Sequence, residues 1–200
     1  APVIAVRRLP RGASLLAHIA DALADPALGT LHILTHGSPG VLRFGGERID
    51  AKALNALPPL SAAHADICLW SCEVAQGSAG QSFIQALADR TGARIHATNR
   101  AVGHAALNGT WELDMIATPR RTPPFNARAL QDFRATLGTG DQYDLSLVDA
   151  SGTSYEDLLR PEFKGKLGTS DLIATIFMAW YDWLDQTRGS KFLPALASQQ

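Results

Sequence analysis

The chain has 200 residues, room for one domain or slightly more, and 46% of them are hydrophobic, enough to bury a substantial core. Charged residues make up 18% and the formal net charge is −1, which argues against an extended charged binder and against a partner as anionic as nucleic acid. The longest apolar stretch, 172–184, is 13 residues long and contains an aspartate. A membrane-spanning helix needs about 20 apolar residues, so we expect no membrane insertion.

The only two cysteines, Cys68 and Cys72, lie in one apolar run that is typical of a buried strand. Four strand steps separate them by about 13 Å. A disulfide needs Cα atoms closer than about 7 Å, so we expect both thiols to be free. Neither the cysteines nor the histidines have the spacing of metal ligands, and we therefore predict neither a metal site nor a cofactor. Cys68 alternates with apolar neighbours and is interpreted as a core residue.

Short apolar runs alternate with helical patterns along the first two thirds of the chain. This alternation predicts an α/β fold with a mostly parallel sheet. Strands are expected over 2–6, 31–35, 41–44, 47–49, 66–71, 93–97 and 109–114, and helices over 14–24, from 50 to 57 and from a Ser78–Gln81 capping box to Gly92.

The composition changes toward the C-terminus. The first 136 residues carry a formal charge of +3 and the remainder −4, with a basic, proline-containing stretch at 120–124 and a breaker at 138–140. We therefore divide the chain into an α/β domain over 1–136 and a linker with a helical appendage over 137–200. The spacing of apolar residues predicts a helix over 172–184.

Two predicted strands end in reactive residues. Residues 31–35 run directly into His36-Gly37, and residues 66–71 run directly into Cys72. In an open α/β sheet, ligands bind beyond the carboxyl ends of parallel strands, so neighbouring strands would bring these residues together. A histidine beside a cysteine is the minimum for thiol nucleophilic catalysis, with imidazole moving the proton. The N–H groups of Gly37 and Cys72 could then stabilise an oxyanion. We name His36, Cys72 and Gly37 as the candidate catalytic residues.

The two blocks resemble the caspase-like clan of cysteine peptidases. In that clan an apolar block precedes His-Gly, and a second apolar block ends in a small residue and the catalytic cysteine. Four segments are more closely similar to one uncharacterised bacterial family of the clan: 35–42 (THGSPGVL), 70–77 (WSCEVAQG), 80–83 (GQSF) and 107–114 (LNGTWELD). The resemblance covers about residues 1–116. It implies a three-layer sandwich and a cysteine endopeptidase if the domain is active.

The family resemblance also implies a biological setting. Such domains lie near the N-terminus of large secreted or surface proteins with cadherin-like or toxin-type repeats, which would place this chain in a larger bacterial protein outside the cell. The family has a further strand and helix before the segment that opens here, so we expect an N-terminally clipped domain. The chain shows no signal peptide of its own, because its arginines follow its first apolar run.

The C-terminal segment resembles something different. Residues 154–200 are similar to a fragment of a periplasmic solute-binding protein of the iron-transporter type. A complete receptor of that type needs two lobes, and this stretch is too short to form the cleft between them. We therefore assign it no ligand residues and expect an appendage or a fused fragment.

Two functions from different classes remain open at this point. In the first, the domain is a Cys-His peptidase acting on peptides or on its own polypeptide chain. In the second, it is a catalytically inactive structural or partner-binding module of a surface protein. Solute binding by the C-terminal segment is a third, weaker hypothesis. The sequence does not define the oligomeric state.

Overall fold

A computed structural model of the chain describes residues 9, 13–44, 47–115, 121, 123–133 and 136–138, together with the backbone of 3–8 and 172–178. Within these residues the fold is mixed α/β, as predicted. It contains one parallel sheet and a smaller antiparallel sheet. The layered arrangement that the family resemblance implies stays a prediction.

The parallel sheet is built around three neighbouring strands in the order β2 (Thr30–Leu34), β6 (Asp66–Trp70) and β7 (Arg94–His96). Two further parallel strands extend it beyond β2: first β8 (Leu172–Met178), then β1 (Val3–Arg8) at the edge. Strands β2 and β6 are almost entirely buried. Their continuous apolar sequences are typical of parallel strands covered on both faces.

The second sheet is a three-stranded antiparallel meander of β3 (His36–Ser38), β4 (Val41–Phe44) and β5 (Glu47–Asp50). It follows β2 directly, so the chain leaves the parallel sheet at Thr35 and enters the meander at His36. The pairing of β4 with β5 confirms the hairpin expected between them.

The described helices are α1 (Leu15–Leu23), α2 (Gly77–Thr91) and α3 (Ala127–Asp132), with short 3₁₀ turns at Ala53–Ala56 and Ala105–Leu107. Helix α1 begins at Ser14, whose hydroxyl accepts a hydrogen bond from the amide of Ala17. Helix α2 ends at Gly92, which adopts φ = +70°, as expected for a C-terminal cap. The predicted capping box is wrong: α2 begins one residue before Ser78 and has no side-chain cap.

The helix predicted over 172–184 is wrong for the part that the structure describes. Residues Leu172–Met178 form β8, which pairs with β1 on one side and β2 on the other. The physical reason is that a short apolar run fits a buried strand and a buried helix equally well. Ile173, Thr175 and Ile176 are β-branched and favour the strand. The rest of the predicted helical appendage lies outside the described residues.

The buried carboxylate of Asp66, at the start of β6, lies among partly exposed arginines and a buried histidine. Asp66 accepts hydrogen bonds from Arg94 (2.6 Å) and His96 (3.1 Å) and forms an ion pair with Arg121. Arg121, which belongs to the basic stretch at 120–124, therefore helps to neutralise this carboxylate. Burial raises the pKa of Asp66, while Arg94, His96 and Arg121 lower it, and the net pKa is below the usual value. Burial also lowers the pKa of His96, more than Asp66 raises it.

Both shifts predict that the fold loses stability on acidification. His96 stays neutral in the folded chain below its usual pKa near 6.5, whereas the unfolded chain binds a proton there, so stability falls as the pH drops from about 6.5. Asp66 has a lowered pKa and adds a loss of the same sign at lower pH, as its carboxylate becomes protonated. Urea unfolding between pH 8 and 5 should show a shallower pH dependence in His96→Gln. The same change at the exposed His64 should leave the dependence unaltered, and an unaltered dependence in His96→Gln would contradict this account.

Candidate active site

The candidate site lies where β2 and β6 leave the parallel sheet. The two strands pair in register from Thr30 with Asp66 to Leu34 with Trp70. The amide of Thr35 then donates to the carbonyl of Trp70 (3.3 Å), which extends the pairing by one step. His36 and Cys72 therefore emerge from the same end of two adjacent strands, as the sequence predicts.

Gly37 packs directly against the backbone that carries Cys72. A Cβ atom at residue 37 would lie 2.7 Å from Cβ of Ser71 and 2.8 Å from the carbonyl oxygen of Cys72. Both distances are shorter than van der Waals contact, so only glycine fits here without displacing the backbone of residue 72. This close approach places the amide of Gly37 beside the amide of Cys72.

Both amides point at one oxygen atom. The carbonyl oxygen of Leu137 accepts hydrogen bonds from the N–H of Gly37 (3.0 Å) and from the N–H of Cys72 (3.5 Å). These are the two donors that the sequence proposes for an oxyanion. Two backbone donors converging on one carbonyl oxygen form the type of arrangement that stabilises charge on an acyl group.

The His36 ring lies beside the next residue of the same segment. Its Nδ1 is 3.0 Å from the carbonyl oxygen of Gly138. A carbonyl can only accept, so Nδ1 carries the proton, and in the neutral ring the lone pair is on Nε2. The ring is half-buried, and the hydrogen bond fixes both its tautomer and its orientation.

The thiol of Cys72 is enclosed and only 3% of the residue is exposed. Its Sγ accepts a hydrogen bond from the amide of Val102 (3.1 Å) and donates to the carbonyl of the same residue (3.5 Å). Burial raises the pKa of the thiol to about 11, with a smaller contribution from Glu73. Hydrogen bonds with Val102, Thr136 and Leu137 oppose this rise but do not overcome it.

The structure brings all three predicted site residues to one place, around residues 136–138. Cys72 and Gly37 hold the carbonyl of Leu137, and His36 holds the carbonyl of Gly138. Cys68, four residues earlier on β6, is fully buried, which confirms its interpretation as a core residue. Burial raises the pKa of Cys68 to about 12.

An aromatic cluster lies beside the site on β6. The Nε1 of Trp70 donates to Nδ1 of His32 (3.1 Å), and the Trp70 ring contacts that of Trp111, which in turn makes an edge-on contact with Phe133. Trp70 is the residue two before Cys72, so its packing fixes the end of the strand that carries the thiol. Among the described residues, the buried hydroxyl of Ser71 and the Nε1 of Trp111 have no hydrogen-bond partner.

Sequence reasoning missed four residues of the site: Val102, Thr136, Leu137 and Gly138. Their contribution comes largely from the backbone, which carries no residue-type signature. The one available signal was the breaker at 138–140, which was interpreted only as a boundary. Because Leu137 is far from both catalytic candidates in the chain, its position depends on tertiary structure.

The described part of the chain contains no group of three or more histidine, cysteine or acidic residues placed to hold a metal ion. Within the same residues, no helix is long and apolar enough to cross a membrane.

The chain belongs to a family whose model matches residues 1–137. The family is DUF4347, described as a domain of unknown function. No curated protein and no solved structure matches the chain.

The closed environment of Cys72 predicts slow alkylation at neutral pH. A thiol with a pKa of about 11 is almost entirely protonated at pH 7, and only the thiolate reacts with iodoacetamide. In a Cys68→Ser background, we expect a rate at pH 8 at least tenfold below that of an exposed cysteine in a short peptide, rising steadily to pH 10. Rapid alkylation below pH 7 would contradict the closed geometry. Urea-unfolded chain is the control, and it should react at the peptide's rate.

Proposed function

We propose that this domain is a cysteine peptidase of the caspase-like type. Cys72 is the nucleophile, His36 is the general acid and base, and the amides of Gly37 and Cys72 form the oxyanion hole. The observation that carries the proposal is that both amides donate to one peptide carbonyl, that of Leu137, while His36 binds the carbonyl of the following residue. The nucleophile candidate, the acid-base candidate and an acyl group thus meet at one point.

Each group has the chemistry that its role requires. As Sγ adds to a carbonyl carbon, negative charge develops on the oxygen, where the two N–H groups are already aimed. The hydrogen bond at Nδ1 leaves Nε2 of neutral His36 as the basic nitrogen. The ring can take the thiol proton and return it to the leaving amine, as general acid-base catalysis requires.

The raised pKa of Cys72 defines how the thiol is activated. With a pKa of about 11, Cys72 is a protonated thiol at neutral pH, so the proposed enzyme contains no thiolate before the substrate is attacked. Proton transfer to His36 therefore accompanies the attack on the carbonyl. The amide of Val102, which donates to Sγ, favours the negative charge as it develops on sulfur.

The family resemblance supplies the wider proposal. A three-layer caspase-like domain near the start of a large secreted or surface bacterial protein would act on peptides or on its own polypeptide chain. The backbone bridges of residues 136 and 138 and the hydrogen bonds to the Leu137 carbonyl support a peptide as the substrate class, since the site contacts peptide backbone there.

A second candidate function rests on the enclosure of the thiol. Cys72 is 3% exposed and is hydrogen-bonded to both backbone groups of Val102, as a structural cysteine would be. On this alternative, the same fold is an inactive structural or partner-binding module of the larger protein. The two functions differ in whether Cys72 forms a covalent acyl intermediate.

Hydrolysis of peptides in trans tests the proposal. We expect the chain to hydrolyse members of a fluorogenic tripeptide library. Cys72→Ala should abolish this activity, and His36→Ala should lower kcat/KM by about 10²- to 10⁴-fold, the usual contribution of a general acid-base. Cys68→Ala and His64→Ala are the matched controls and should retain activity.

A suicide probe separates the two candidate functions independently of turnover. A peptidyl acyloxymethyl ketone should label Cys72, located by mass spectrometry, and labelling should fall in His36→Ala. Absence of both hydrolysis and labelling in a chain that unfolds cooperatively would favour the inactive module. Hydrolysis that persists in Cys72→Ala would contradict the proposed nucleophile.

A further inference from the structure

Residues 136–138 lie in the candidate site as a bound peptide would. The amide of Leu137 donates to the carbonyl of Val102 (2.8 Å), and its carbonyl accepts from Gly37 and Cys72. Gly138 forms a parallel bridge with Gly37, and Thr136 forms an antiparallel bridge with Gly103. The segment therefore bridges two parts of the domain through backbone contacts, and backbone pairing of this kind is a common mode of peptide recognition.

The contacts are distributed around a single peptide bond. On one side, the carbonyl of Leu137 is held by the proposed oxyanion hole. On the other side, the carbonyl of Gly138 is held by His36 Nδ1 (3.0 Å). Thr136 is buried and its hydroxyl hydrogen-bonds with the Cys72 thiol. The amide of the proposed nucleophile thus contacts the carbonyl of Leu137, and the proposed acid-base residue contacts the carbonyl of the next residue, Gly138.

We propose that the Leu137–Gly138 peptide bond is the domain's own substrate and that the domain cleaves it in cis. This inference rests on the proposed function and deepens it by assigning the substrate. It also assigns the substrate class in trans: an extended peptide with leucine on the acyl side of the scissile bond and a small residue on the amine side.

The reaction is hydrolysis in two steps. In the first, Cys72 Sγ bonds to the carbonyl carbon of Leu137 as its proton passes to His36. The carbon–nitrogen bond to Gly138 then breaks, and the imidazolium returns the proton to the amine that leaves. In the second, water attacks the thioester with His36 as base, giving the carboxylate of Leu137 and restoring the thiol.

Glycine on the amine side suits this geometry. Gly138 has no side chain to obstruct the His36 ring, which lies 3.0 Å from its carbonyl oxygen.

Cleavage would not by itself separate the two products. Residues 1–137, which coincide with the matched family domain, would be divided from a fragment that contains β8. That strand pairs with β1 and β2 along its length. We therefore expect the fragments to elute together under native conditions and to separate only on denaturation.

The experiment is intact-mass analysis of the full chain under denaturing conditions, sampled during incubation at pH 7.5. We expect fragments ending at Leu137 and beginning at Gly138. They should be absent in Cys72→Ala and present in Cys68→Ala. Gly138→Pro should also block cleavage, because the pyrrolidine ring adds bulk on the scissile nitrogen, removes its N–H and fixes φ; thermal unfolding of this variant checks that it folds. Hydroxylamine added during the incubation should convert part of the Leu137 terminus to its hydroxamate, the signature of a thioester.

The outcomes separate this inference from the proposed function. An intact chain that still hydrolyses fluorogenic peptides through Cys72 would overturn self-cleavage and leave the peptidase standing. An intact chain with neither hydrolysis nor probe labelling would overturn both. Cleavage at the same bond in Cys72→Ala would show that a contaminating protease is responsible and would overturn the inference.

Discussion

The absence of a side chain at residue 37 is the constraint on which the site depends. Any Cβ there would overlap Ser71 and the backbone of Cys72, so two chain segments leaving neighbouring strands can approach closely only through glycine. This approach sets two amides side by side, and their common acceptor is the carbonyl of Leu137. The parallel pairing of β2 with β6 brings the ends of these two strands next to each other. Gly37 then allows the backbones beyond the strand ends to approach closely enough to form one candidate site.

The thiol is subject to opposing influences. Burial disfavours the thiolate, whereas the amide of Val102 and the hydroxyl of Thr136 favour it, and burial prevails. Cys72 is enclosed in part by Thr136 and Leu137. Both belong to the segment that occupies the proposed oxyanion hole. The segment that donates to the thiol and accepts from the two amides is therefore a single one, so the enclosure of Cys72 and the occupation of the proposed oxyanion hole depend on the same residues.

The sequence was most informative where function depends on local order. His36, Gly37 and Cys72 follow buried strands immediately, so a strand pattern and a reactive residue could be recognised in one short window. Prediction failed where distant segments meet. Val102 and Leu137 contribute backbone atoms. Every residue except proline carries the same backbone donor and acceptor, so the residue type at these positions does not indicate their role.

The error at β8 has a related cause. Six of its seven residues, LIATIFM, are apolar, and so continuous an apolar run matches both a helical spacing and a buried strand. Tertiary structure determines which of the two forms. The segment becomes a strand because it pairs in parallel with β1 on one side and with β2 on the other. The candidate site depends on distant segments in the same way. Leu137 contacts Val102, Gly37 and Cys72 through backbone hydrogen bonds, and Thr136 bridges Gly103. In the proposed self-cleavage, a segment held in this way loses little further entropy when its carbonyl is attacked, which is the condition under which intramolecular reactions are fastest.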